Sequence, residues 1–167
     1  SVLSAIRPWV GGGSFDQIHM ATAIYRLGVH SDDFTAAMAR SPVFAQLLER
    51  TQAELAKGAM EARPSSNICW AVGKLQLYSG HFAPLRPALI RCVRQRAPEM
   101  TPQGISNTFW AAGTLRFDLE EMRDMLAVLC RAARQKALNM KPQHIANIIW
   151  SAGTLRLDGV EAESMLT

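Results

Sequence analysis

The chain has 167 residues, about half of them apolar, with a net charge of +4 and a pI near 9.3. That length holds one domain or about four repeats of 40 residues, and no apolar run approaches the roughly 20 residues of a membrane span. The three cysteines, Cys69, Cys92 and Cys130, are widely spaced with no CxxC pair, which argues against a zinc site and a disulfide framework and for free thiols in a core.

Residues 1–13 end in Val10-Gly-Gly-Gly13 and read as a flexible N-terminal segment. Ser14 reads as the N-cap of a first helix running from Phe15 to Gly28. Ala21-Thr-Ala-Ile-Tyr-Arg-Leu27 can be laid over Ile149-Trp-Ser-Ala-Gly-Thr-Leu155, which puts Thr22 where the later copies have tryptophan. Leu27 then precedes Leu75 by 48 residues, so this degenerate repeat, 14–60, carries about eight extra residues near 31–40, read as a short helix. Ser41 and Pro42 restart a helix as N-cap and first helical position, and it runs to about Lys57, before Gly58.

Repeat 61–100 pairs a helix A from about Pro64 to Leu77 with a helix B from Ala83 to Ala97, where Pro84 and Pro87 fit only in the first turns. Repeat 101–140 pairs a helix A from about Pro102 to Phe117 with a helix B from Leu119 to about Ala137, with Asp118 placed to cap it. Pro142 opens the helix A of a partial repeat, 141–167. The chain starts without methionine and stops partway through that unit, so we read it as part of a longer protein. No strand signal competes.

The period is explicit. Asn67-Ile-Cys-Trp-Ala-Val-Gly-Lys-Leu75, Asn107-Thr-Phe-Trp-Ala-Ala-Gly-Thr-Leu115 and Asn147-Ile-Ile-Trp-Ser-Ala-Gly-Thr-Leu155 keep Asn, Trp, Gly and Leu in register at 40 residues without a gap. Such a period is the signature of stacked supersecondary units. The expected fold is all-α: a right-handed α-solenoid of helix-turn-helix repeats over residues 14–167. Glycine inside a helix costs roughly 1 kcal/mol against alanine, so its recurrence at 73, 113 and 153 requires a close approach of another backbone. The tryptophans are expected at the seam between helices, in equivalent environments.

On helix A, Ile105, Phe109, Ala112 and Leu115 form the apolar arc. The remaining arc is polar: Arg63, Asn67 and Lys74 in one copy, Gln103, Asn107 and Thr114 in the next, then Gln143, Asn147 and Thr154. Helix B repeats as well, with Arg91, Arg94 and Arg96 returning as Arg131, Arg134 and Lys136. Residues 61–100 hold six basic and two acidic residues, so the positive excess sits in one repeat and suggests a local patch for an anion.

A 40-residue helical pair carrying Asn-x-x-Trp-Ala-x-Gly-x-Leu resembles the octotricopeptide repeats and the related helical repeats that precede RAP domains in organelle proteins. The resemblance covers about residues 15–167, with Arg116 where the family often has glycine, and no RAP domain is visible. It implies RNA binding in a mitochondrion, or alternatively a plastid. The implied role is a structural part or assembly factor holding ribosomal RNA in a mitochondrial ribosome, or an mRNA stability or processing factor. The family's proposed RNA face, the surface lined by helix A, falls on the polar stripe.

The asparagines admit two readings: hydrogen bonds to bases or ribose, or ties between adjacent repeats. The arginines of helix B do too. Arg86, Arg91, Arg94 and Arg96 lie in a helix with no acid before Glu99 and are expected to give the strongest phosphate contacts, with Arg131 and Arg134 after them, whereas compensation of the helix dipole is the competing account. The histidines have no metal-ligand spacing, and no nucleophile–base pair, phosphate loop or carboxylate pair appears, so neither an enzyme nor a cofactor is expected. A protein–protein scaffold using the same groove is the other functional class.

Overall fold

A computed structural model describes residues 1–116 and 119–157, all-helical, with no strand among them. The helices are α1 (Val2–Ile6), α2 (Gln17–Val29), α3 (Ala36–Ala39), α4 (Pro42–Ala56), α5 (Ala62–Lys74), α6 (Ser79–Phe82), α7 (Arg86–Arg96), α8 (Pro102–Leu115), α9 (Leu119–Gln135) and α10 (Pro142–Thr154). The proposed Asp118 cap, the Phe117 end of the second helix A and everything after residue 157 lie outside the described residues.

Local chemistry sets the helix starts. Ser41 Oγ accepts from the Phe44 amide at 3.2 Å ahead of Pro42, and Thr101 Oγ1 accepts from the Gly104 amide at 3.2 Å ahead of Pro102. At α10 the His144 ring nitrogen accepts from the Lys141 backbone amide at 3.2 Å, so this histidine caps a helix. Asp16, not Ser14, caps α2: its carboxylate accepts from Ile18 and His19, and those bonds hold its pKa below the ordinary value. Gly58, at φ +71°, follows α4 in the left-handed region that an L side chain avoids. Helix α7 starts three residues later than the sequence pattern suggests. Pro84 lies in a 3-10 turn, Ala83–Leu85, and Pro87 in the first turn of α7, because neither can donate to a preceding carbonyl.

The helices form two layers. In the first, α2, α5, α8 and α10 pack in that order, each on the last. In the second, α4 packs on α7 and α7 on α9, and each of these also packs on its first-layer neighbour. The core between the layers holds Phe44, Leu47, Ile68, Leu75, Val93, Ile105, Phe109, Met122, Leu126 and Leu129. Residues 61–70 and 101–110 follow the same order of buried, half-buried and exposed positions.

The first-layer crossings explain the glycines. A Cβ on Gly73 would stand 2.8 Å from Cζ3 of Trp110 and 3.2 Å from Cα of Ala111. On Gly113 it would stand 3.1 Å from both Cζ3 of Trp150 and Cα of Ser151. Each tryptophan and the small residue after it thus close on the glycine of the preceding helix. Gly28 takes the same part, 2.9 Å from Ala71 Cα and 3.3 Å from Trp70 Cζ3.

That contact corrects the register of the first repeat. Gly28 precedes Gly73 by 45 residues, so the tryptophan position is filled by Tyr25, whose ring lies 4.9 Å from that of Trp70, and not by Thr22. The first repeat carries five extra residues rather than eight. Part of them forms a 3-10 turn at Ser31–Asp33 and the short helix α3.

The N-terminal segment also differs from the flexible joint expected of 1–13. Val2–Ile6 is helical, with Leu3 and Val10 buried. The Arg50 guanidinium donates to the carbonyls of Val10 and Gly12, both at 2.6 Å, and of Phe15 at 3.0 Å. A glycine run exposes carbonyls to any donor, and this donor comes from α4.

Candidate nucleic-acid interface

The polar arcs of α2, α5 and α8 open onto one groove of about 510 Å³. It brings together Arg63, Asn67, Gln103 and Asn107 from the sequence-derived stripe. It also includes Thr22, Tyr25 and Arg26, which the sequence reading did not single out. The cause is the register slip: once Tyr25 matches Trp70, Thr22 falls at the position of Asn67 and Arg26 at that of Ala71. No carboxylate lines this groove among the described residues. A neighbouring cleft beyond Arg63 has Glu61 and Glu99 at its edge, and Glu99 is already paired with Arg96.

The three asparagines, identical in sequence, are in different states. Asn147 Nδ2 donates to Ser106 Oγ at 3.2 Å, and its Oδ1 accepts from Gln143 Nε2 at 2.9 Å. It therefore ties α10 to α8 through a hydroxyl rather than a backbone carbonyl. Among the described residues, the Asn67 and Asn107 amides have no hydrogen-bond partner, and both face the groove. Lys74, Gln143 and Asn147 lie outside the groove lining, although Lys74 and Gln143 are exposed. The Thr114 hydroxyl is buried, with no hydrogen-bond partner among the described residues, so it presents nothing to a ligand from solvent.

The arginines of α7 correct the second expectation. Their own helix has no acids, but the next one supplies them. Arg94 Nη1 donates to Asp124 Oδ2 at 3.1 Å, and Arg86 Nε lies 3.3 Å from Glu121 Oε2, both acids being on α9. Arg96 Nε donates to the Met60 carbonyl at 3.1 Å, and its Nη1 reaches Glu99 Oε1 at 3.2 Å. Arg91 is exposed, and no acid is paired with it among the described residues. Arg131 and Arg134 are exposed on α9. Lys136, at the position matching Arg96, likewise donates back to the preceding unit, to the Pro98 carbonyl. Surface ion pairs of this kind add little stability, but they cancel much of the field that a phosphate ladder needs. Arg86, Arg94 and Arg96 thus already have acid partners, and Arg91 is the α7 arginine with none among the described residues.

The Trp70 and Trp110 rings are half-buried at helix crossings, whereas Trp150, which also closes on a glycine, is exposed, so the three repeated tryptophans are not in the equivalent environments expected of them. Cys69 and Cys92 are free and buried; burial pushes both thiols up, which makes them poor nucleophiles. Among the described residues no group of three or more His, Cys, Asp or Glu residues could hold a metal, and no helix is long and apolar enough to cross a membrane. Comparison of the chain with protein-family models, with curated proteins and with solved structures finds no match.

Proposed function

We propose that the chain is a stretch of right-handed α-solenoid with a 40-residue repeat, similar to octotricopeptide-type repeats, and that it binds single-stranded or irregular RNA along its first layer. The observation that carries this reading is the acid-free groove across α2, α5 and α8, where two guanidinium groups and two unpaired amides converge. Arg26 and Arg63 meet phosphates, while Asn67, Gln103 and Asn107 offer both donors and acceptors to base edges and 2′-hydroxyls. Lys74, further along α5, extends the positive stripe. The setting we propose is an organellar ribonucleoprotein, with mitochondrial ribosomal RNA as the ligand, held by shape and backbone.

Salt dependence separates this from a protein-binding scaffold. Affinity for a fluorescent single-stranded RNA is expected to fall with salt, at a log–log slope of about 0.7 per phosphate contact, hence roughly 1.4–2.1 for two or three contacts. A slope near zero, with no preference for RNA over an uncharged competitor, removes the RNA reading.

A further inference from the structure

One set of three residue types occurs twice, 40 residues apart, and the two copies are in different states. At the crossing of α8 and α10 the set is closed. Gln143 Nε2 donates to Asn147 Oδ1 at 2.9 Å, and Asn147 Nδ2 donates to Ser106 Oγ at 3.2 Å. Gln103, Asn107 and Ser66 are the same set at the crossing of α5 and α8, and there it is open. Gln103 and Asn107 have no hydrogen-bond partner among the described residues, and all three residues line the groove.

Ser66 is nevertheless in place to receive the amide. Its Oγ lies 3.1 Å from where a Cβ on Gly104 would stand, so it reaches the side of α8 one turn before Asn107. The Ser66 hydroxyl donates to the Arg63 carbonyl at 3.0 Å, which leaves the oxygen lone pairs for an incoming N–H. The first crossing has no such set. In the register fixed by Gly28 and Gly73, buried Ala21 stands where Ser66 does in the next unit. Arg63, not a glutamine, stands four residues before Asn67.

Resting on the RNA reading above, we propose that Ser66 and Gln103 form a latch on Asn107. They hold its amide in the arrangement that Ser106 and Gln143 impose on Asn147, and RNA must displace them to use it. In the closed arrangement the amide oxygen is spent on the glutamine and the NH2 group on the serine. In the open one both ends face the groove. Asn67 lacks both partners and is always available, so the groove offers one fixed amide and one conditional amide. The closed fraction lowers the apparent affinity for RNA, and Ser66 sets that fraction.

The test is a double-mutant cycle on affinity for a fluorescent single-stranded RNA of mixed sequence. Ser66→Ala removes the hydroxyl without adding volume. It is expected to tighten binding by about two- to tenfold, the range for loss of one competing hydrogen bond, with the salt slope unchanged. Ser66→Cys, whose thiol is a weak acceptor, should act in the same direction and carries the test if the alanine variant fails to fold. Asn107→Ala should weaken binding, and adding Ser66→Ala to it should give no gain. Melting curves verify that each variant is folded. Unchanged or weaker binding by the folded serine variant, or the same gain in the Asn107→Ala background, overturns the proposal. The wild-type titration separates this from the RNA reading. Salt-dependent binding by the wild type with no gain from the serine variant removes the latch alone, whereas a wild-type chain that binds no RNA removes both.

Discussion

Gly113→Leu is expected to destabilise the fold by about 1–3 kcal/mol, the usual cost of forcing volume into a packed seam. In a chain of this size that lowers Tm by roughly 2–12 °C. The neighbours that would have to yield are the Cα of Ser151 and the ring of Trp150, both 3.1 Å from the new Cβ. Backbone cannot rotate away as a flexible side chain can. Gly73→Leu should cost at least as much, because the Trp110 ring is nearer, at 2.8 Å. Gly153→Leu is the internal control: among the described residues nothing lies within 4 Å of a Cβ there, and leucine is a better helix former than glycine. Thermal melts of the three variants check this. Equal Tm values would mean that the repeated glycine has no part in helix approach.

The second large effect concerns RNA. Replacing Arg26 and Arg63 together with alanine is expected to weaken RNA binding by about tenfold or more, at 1.5–3 kcal/mol for hydrogen bonds to a charged group. It should also flatten the salt slope by about 1.4, for two lost phosphate contacts. Replacing Arg94 and Arg96 should change affinity by no more than about twofold, because those groups already face Asp124, Glu99 and the Met60 carbonyl. Binding titrations over a range of salt concentrations compare the two double variants. If the second weakens binding more than the first, the arginines of α7 are the phosphate site despite their partners.

Much of the helical layout was legible because its signals are local. Ser41 before Pro42 and Thr101 before Pro102 mark helix starts, and the tryptophan and glycine repeats mark the seam. The features that were misread depend on what arrives from elsewhere in the chain. Aligning Leu27 with Leu155 puts Thr22 at the tryptophan position, yet the glycine that must meet Ala71 is Gly28, which makes Tyr25 the equivalent of Trp70. That slip of one helical turn hid Arg26 and Thr22 from the candidate site. The segment 1–13 looked loose because nothing nearby can pair its carbonyls, and Arg50 reaches them from α4. Helix α7 looked uncompensated because its acids, Glu121 and Asp124, lie one repeat later. The asparagines show the limit of identity as a guide. Asn147 is bound to Ser106, whereas Asn67 and Asn107, at the same place in the 40-residue pattern, line the groove.

The most direct measurement is photocrosslinking of a single-stranded RNA containing 4-thiouridine, with the attached peptides mapped by mass spectrometry. The account predicts crosslinks on the groove-facing residues of α2, α5 and α8, Tyr25 and its neighbours among them, lost in the Arg26→Ala/Arg63→Ala variant. Crosslinks confined to α7 and α9, and retained in that variant, would contradict it.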